Sequence, residues 1–351
     1  MIRERKRVDS RRSRSLAGTR GAGRGTRATL RGSGREAILC IDVGGTTTAS
    51  GLVTPQGEML AHTQAATHSP GPGTALATVF ELADGLVAAA KAQGILLLGL
   101  GVGVPGVVDA ERGVVREDIK NVPELAGCPL AERLASRYGV RVLVDNDVNL
   151  LALGQWRFGA GKGARSLVLL ALGTGVGGGI ILDGHLVRGA GGYGGELGCI
   201  PINFDTSKVS TFGRGWLDSY VSGREIADTA RQRFPDLGED VSAAAVFQAA
   251  RDGHAGARAL VEEVCQALGA GLAIIVNALN PELVLVTGGV AESLIPLEGA
   301  ILRWVSEYAF KRALVATRVA FVSLDKRATV VGGAALYLYE TARAQVKGDR
   351  A

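Results

Sequence analysis

Five short stretches set carboxylate, amide or hydroxyl side chains beside glycines, and the chemistry they suit is phosphoryl transfer to a hydroxyl. In Val144-Asp145-Asn146-Asp147-Val148-Asn149, acidic and amide residues stand at the end of an apolar strand and open a helix. Such residues also act as helix N-caps, which accounts for part of the cluster. Transfer of a phosphoryl group to a hydroxyl needs a carboxylate within hydrogen-bond reach of the nucleophile, and a strand end is where an α/β cleft places one. Asp147 is therefore the candidate general base.

Two glycine turns suit phosphates. In Asp42-Val43-Gly44-Gly45-Thr46-Thr47, Gly44 and Gly45 let the backbone approach a phosphate, and successive N–H groups through Thr46 can form an anion nest. Asp42 at the strand end suits Mg²⁺ held through water. A tight Gly-Gly hairpin has the same composition. The second turn is Leu172-Gly173-Thr174-Gly175-Val176-Gly177-Gly178-Gly179. It lacks the Gly-Lys-Ser/Thr end of a Walker loop. It is followed by Ile180-Ile181-Leu182, a strand where a dinucleotide fold needs a helix. Gly173, Thr174 and Gly175 suit the β- and γ-phosphates of ATP. Two such turns facing one cleft are more specific than either alone.

In Gly194-Gly195-Glu196-Leu197-Gly198-Cys199, glycine-rich from Gly189 onward, the loop can carry Glu196 into a cleft to accept hydrogen bonds from sugar hydroxyls. Its composition also fits a surface turn. Leu285-Val286-Thr287-Gly288-Gly289 ends a strand ahead of a helix; Gly288 and Gly289 can seat an adenine ring, or form an ordinary βα turn.

The elements that must position these groups alternate. Residues 38–43 and 49–53 read as a hairpin, 57–61 as a third strand, 74–93 as a helix and 96–104 as a buried strand. A helix at 130–138, a strand at 140–144 and a helix at 148–159 follow. Strands at 166–172, 178–182 and 185–188 come next. The last third gives helices at 223–234, 241–252 and 255–280, with strands at 283–287 and 318–322. This order is that of an α/β protein. The strand–glycine turn–strand opening occurs at Asp42 and again at Gly173, which implies two duplicated lobes around a cleft. The expected division is a basic arm at 1–36, an N-terminal lobe at 37–144 joined by a C-terminal helix at about 331–346, and a larger lobe at 145–330.

Charge supports the division. Residues 1–36 carry 12 Lys/Arg against 3 Asp/Glu, and the remainder 27 against 31, so the basic pI belongs to the arm. The arm has no apolar periodicity and is expected to be disordered, an inert extension rather than a nucleic-acid tail. The mildly acidic body gives no argument for nucleic-acid binding. Aromatics are 5% of a chain that is 47% hydrophobic, so aliphatic residues must build the core. Cys40, Cys128, Cys199 and Cys265 lack CxxC spacing and are expected to be reduced, as in a cytoplasmic protein. No run of about 18 apolar residues suggests a membrane span.

The order and spacing of these motifs resemble the ROK family of repressors, open reading frames and sugar kinases, within the actin/hexokinase/Hsp70-like ATPase superfamily. The resemblance runs from about 37 to about 339. It includes Asp42–Thr46, Gly101-Val102-Gly103-Val104-Pro105-Gly106, Asn146-Asp147, Gly173–Gly179, Gly194–Gly198, the segment 217–223 and Gly332-Gly333-Ala334. It implies a two-lobed actin-like (ribonuclease H-like) fold and Mg²⁺-ATP-dependent phosphorylation of a hexose, with glucose O6 as the expected acceptor. N-acetylhexosamines, fructose, mannose, or polyphosphate as donor are alternatives, as is a non-catalytic sugar-responsive regulator. A regulator would need a helix-turn-helix ahead of the core, for which the arm has no apolar pattern. Residue by residue, Asp147 matches the family's catalytic aspartate, Asn146 and Asn121 its sugar-binding asparagines, and Glu196 its sugar-binding glutamate. A homodimer is also implied.

Three departures stand out. Cys199 occupies the usual position of a histidine that touches sugar and ligates zinc. The zinc cysteines are missing from 209–218, and Asp218 replaces a glutamate. One cysteine cannot form a four-ligand site, so a zinc-free loop held by Phe212 and Trp216 is expected, with Asp218 as a shortened sugar contact.

Overall fold

The computed structural model describes residues 35–348 except 70, 72, 117–120, 210–212, 324 and 326. The basic arm lies outside the described residues apart from Arg35 and Glu36, and Glu36 already opens the first strand.

Strands β1 (Glu36–Val43), β2 (Thr47–Val53) and β3 (Met59–Ala66) form an antiparallel meander, and β4 (Leu96–Val104) pairs with β1 in parallel. A separate short hairpin is made by β5 (Val108–Asp109) and β6 (Val114–Val115). Strand β7 (Val142–Asn146) then joins β4 in parallel, giving the order β3-β2-β1-β4-β7. The second sheet repeats this plan. Strands β8 (Leu167–Leu172), β9 (Val176–Leu182) and β10 (His185–Leu186) run antiparallel, and β11 (Leu283–Thr287) and β12 (Arg318–Phe321) extend β8 in parallel, in the order β10-β9-β8-β11-β12.

Burial explains the strand sequences. All five residues of β11 are buried, as a central parallel strand covered on both faces requires, and they read Leu-Val-Leu-Val-Thr. At the edge, β3 alternates: His62, Gln64 and Ala66 are exposed between less exposed neighbours. That alternation carries β3 five residues past the predicted 57–61. Strand β7 likewise runs through Asn146, two residues beyond the prediction, because Asp145 and Asn146 still pair with Gly103 and Val104.

Helices α1 (Ala75–Ala92) and α2 (Leu130–Tyr138) cover one face of the first sheet. Helices α3 (Asp147–Phe158) and α11 (Ala328–Gly348) lie between the sheets: Leu150–Leu153, Ala335 and Leu336 pack with Leu167, Leu169, Leu283 and Leu285, while Val330 and Ala334 pack on Ile38 and Cys40. The far face of the second sheet carries α4 (Asp218–Val221), α5 (Gly223–Arg233), α6 (Ala243–Asp252), α7 (Ala255–Leu279), α8 (Gly289–Leu294), α9 (Glu298–Tyr308) and, beyond them, α10 (Lys311–Ala316). Helix α7 is long and apolar enough to cross a membrane, but 67% of its most apolar window is buried in this packing. Each fully buried Leu or Val there contributes about 1.5–3 kcal/mol.

Glycines set the seat of α11. A Cβ on Gly101 would fall on the backbone of Gly333, and one on Gly332 would fall on the carbonyl of Leu150. Gly332-Gly333 therefore lets α11 touch the backbones of β4 and α3 together. The Tyr337 hydroxyl donates to the Leu98 carbonyl at 2.6 Å and fixes the register.

Candidate active site

The carboxyl-terminal ends of β1, β4 and β7 meet the glycine turns of the second sheet, and the candidate residues gather there. Asn146 caps α3. Its carboxamide oxygen accepts from the N–H groups of Val148 at 2.8 Å and Asn149 at 3.2 Å, and its NH₂ donates to the Gly106 carbonyl at 3.1 Å. This is why Pro105-Gly106 follows β4: the turn braces the cap. The asparagine read as a sugar contact is thus also the cap allowed for in the sequence.

Asp147 starts α3, and its carboxylate accepts from the Val148 N–H at 2.9 Å. Burial pushes its carboxyl up to about 6, and repulsion from Glu196 adds to this, against the pull of backbone hydrogen bonds. Burial pushes Asp42 up to about 7, with Asp147 contributing repulsion. Glu196, although exposed, is also raised, by partial desolvation at the cavity wall. Asp42, Asp147 and Glu196 therefore form an electrostatically linked acidic set spanning both sheets.

A cavity of about 490 Å³ is lined by Asn121, Asn146, Asp147, Gly175, Glu196, Cys199, Trp216 and Asp218. Larger cavities of about 820 and 570 Å³ contain none of the predicted site residues. Beside the site, the first glycine turn is closed by the Gly44 N–H donating to the Thr47 carbonyl at 3.0 Å and by the Thr67 hydroxyl donating to the Gly44 carbonyl at 2.6 Å. A Cβ on Gly45 would stand 2.7 Å from the Asn121 Cβ, so this turn touches Asn121 directly. Thr46 carries the turn into β2 and accepts from the Thr67 N–H at 2.9 Å.

In the second turn the Gly173 N–H donates to the Gly175 carbonyl at 2.9 Å, and the start of α5 docks on it through the Gly223 N–H to the Gly173 carbonyl at 2.8 Å. The Thr174 carbonyl accepts from the Arg224 N–H at 3.4 Å. Gly288 has φ +108° and packs against the Leu172 carbonyl, which sets Gly288-Gly289 alongside Gly173; only glycine fits that conformation and approach. Asp42, Gly44, Gly45, Thr46, Gly173, Thr174, Gly288 and Gly289 do not line the 490 Å³ cavity; they lie at the strand ends around it.

Asp218 is buried, and one oxygen accepts from the Val176 N–H at 2.9 Å while the other has no protein partner. Burial raises its carboxyl. Cys199 is half-buried, its thiol pushed up to about 11 by burial and then by Glu196 and Asp218. Among the described residues no His, Cys, Asp or Glu cluster is arranged to hold a metal through three or more side chains.

The expected Phe212 contact lies outside the described residues. Trp216 lines the cavity and covers Gly213. The loop before it has a fastening that sequence reading missed. Lys208 donates to Glu263 at 3.1 Å and lies over the Tyr220 ring, 4.4 Å from its centroid. The Tyr220 hydroxyl donates to Thr206 at 3.2 Å, and Arg214 donates to the Thr206 carbonyl. Arg188 was also missed; the signal available was an arginine placed immediately ahead of the flexible stretch from Gly189.

The ROK family model matches residues 38–340. A glucokinase of Halalkalibacterium halodurans is 30% identical over 306 residues, spanning 84% of this chain and 92% of that protein. A xylose repressor of Caldicellulosiruptor bescii is 32% identical over 223 residues, but that match spans only 60% of this chain and 55% of the repressor. Among solved structures, a ROK family glucokinase from Streptomyces griseus in complex with glucose and AMPPNP is similar with a TM-score of 0.65 and 30% identity, over 86% of this chain and 98% of that one. The repeated sheets with helices between them are those of this fold, and the chain belongs to the ROK family.

Proposed function

We propose that the protein is a sugar kinase that moves the terminal phosphoryl group of ATP onto a hexose hydroxyl, with glucose O6 as acceptor and Asp147 as general base. The observation that carries this reading is the Asp147 carboxyl in the wall of a cavity it shares with Asn121, Glu196 and Asp218, where desolvation pushes it up to about 6. Near neutral pH such a group is ionised yet more basic than a free aspartate, which suits proton abstraction. The resemblance to glucokinases over most of both chains supports the same reaction.

Asn121, Glu196 and the unpartnered oxygen of Asp218 are placed to hold sugar hydroxyls, with Asn146 contributing what its cap leaves free. Gly45, Thr46, Thr174 and Gly175 offer backbone N–H groups to the phosphates, those of Gly44 and Gly173 being spent within their turns, and Gly288-Gly289 is the backbone seat for adenine. Asp42 is an oxygen donor that fits Mg²⁺, and a hard cation there relieves its repulsion with Asp147. When bound, the ion neutralises charge on the transferring phosphoryl group.

A panel of glucose, mannose, fructose and N-acetylhexosamines, each with ATP or polyphosphate and read by ADP or sugar phosphate, tests the acceptor and donor. Asp147→Asn is expected to lose turnover by at least ~10²-fold while still binding sugar in calorimetry. Near wild-type turnover in that variant, or no phosphorylation of any sugar by the unaltered protein, overturns the reading.

A further inference from the structure

Arg188 stands where three elements meet. Its Nε donates to Asp145 at 2.7 Å, and its terminal nitrogen contacts Asp145 at 2.6 Å and donates to Glu340 of α11 at 2.8 Å. The Asp145 side chain is 3% exposed and that of Arg188 19%. Burial pulls the guanidinium down, and the two carboxylates outweigh it, so Arg188 stays charged. A planar fork answering two carboxylates is the geometry at which arginine and lysine are not interchangeable.

The ion triad reaches both substrate-facing carboxylates. On one side, the second Asp145 oxygen accepts from the Asn146 N–H at 2.8 Å and from the Asn149 side chain at 2.9 Å, which fixes the backbone carrying Asp147. On the other side, the Arg188 carbonyl accepts from the Gly194 N–H at 2.8 Å, closing the glycine loop two residues before Glu196. A Cβ on Gly194 would meet the Arg188 backbone at 2.7 Å, so the loop returns directly onto this residue. The side chain of Arg188 thus holds the element of Asp147, and its main chain holds the loop of Glu196.

We infer that Arg188 is a positioning residue that sets the separation of Asp147 and Glu196, so that the base and the sugar-holding carboxylate move together when the Arg188–Asp145 pair is altered. This inference rests on the proposed roles of those two carboxylates. Lysine keeps the charge but cannot bridge both partners in the same plane.

The test is Arg188→Lys in the full chain, with kcat, the KM of each substrate, the pH profile and sugar binding by calorimetry. The expected result is a drop of about 10- to 100-fold in kcat/KM for sugar, with the KM for ATP within about twofold, weaker calorimetric sugar binding and a displaced acid limb of kcat. Glu340→Gln, which keeps the Asp145 arm, lowers thermal stability but leaves the acid limb in place. Unchanged sugar binding and pH profile in the Arg188→Lys protein overturn the inference, and so does the same displacement in Glu340→Gln. If Arg188→Lys does not fold, Asp145→Asn is measured in the same way, with the same expected and overturning results. Failure of the underlying reading is separately visible, because Asp147→Asn then retains turnover whatever Arg188→Lys does.

Discussion

Asp42, at the end of β1, is half-buried beside Asp147, at the start of α3; desolvation and repulsion from Asp147 push it up to about 7. Asp42 ends β1 and Asp147 directly follows β7, strands separated by β4 in one sheet, so their approach is fixed by the β1–β4–β7 pairing. Bringing two acids together in a buried cleft is destabilising, and such sites mark function more often than stability.

The first prediction concerns pH. Asp147 has to be ionised to accept a proton, and burial with repulsion from Glu196 raises its carboxyl to about 6. At saturating sugar, kcat is expected to be level above about pH 7 and to fall as pH drops through about 6. A profile flat down to pH 4.5 contradicts Asp147 as the base.

Replacing Glu196 removes one cause of that shift. Glu196→Gln is expected to move the acid limb to lower pH and to raise the sugar KM, as the variant also loses an acceptor at the cavity wall. Steady-state kinetics between pH 4.5 and 8 measure both.

The buried base also bears on stability. Its folded value near 6 lies above the unfolded one near 3.8, so the folded state holds the proton more tightly. Stability from this group is present at low pH and is lost as pH rises between those values. Asp147→Asn is therefore expected to be more stable than the parent at pH 8, on the order of 1–3 kcal/mol, with the gap closing at pH 4. Thermal denaturation at both pH values decides this.

Glycine substitutions separate packing from propensity. Gly333→Ala sets a Cβ 2.7 Å from the Gly101 carbonyl and is expected to destabilise by about 1–3 kcal/mol. Gly85→Ala in α1 meets nothing within 4 Å and is expected to stabilise by up to about 1 kcal/mol. Urea midpoints of the two variants should move in opposite directions.

Lys208→Met removes the Glu263 ion pair and the cation over Tyr220 that fasten the loop ahead of Trp216. The expected outcome is faster proteolysis within 200–216 and a sugar KM raised several-fold, with the ATP KM unchanged. Equal proteolysis and kinetics show that this fastening does not shape the cavity.

Local chemistry made much of this molecule legible in the sequence. The predicted bounds of β4, α2 and β11 coincide with the observed ones, because apolar runs bounded by glycine, proline or polar residues leave one local solution. Where the pattern was ambiguous the bounds slipped. The glycines of Val176-Gly177-Gly178-Gly179 read as a loop running to 177, yet β9 begins at Val176. These glycines are strand positions on which Val148, Leu197 and Ala152 pack too closely for a Cβ. That requirement lies in distant residues and leaves no local periodicity.

By itself, the sequence determined the repeated strand–glycine turn–strand plan, the candidate base at the head of a helix and the charge contrast between arm and body. These follow from periodicity, turn chemistry and composition, all properties of neighbouring residues. Only the tertiary structure decided that Lys208 fastens the loop beside Trp216 and that Arg188 joins Asp145 to Glu340. Those facts depend on groups 55, 43 and 152 positions apart, and a buried charge finds its partner through the fold, not along the chain.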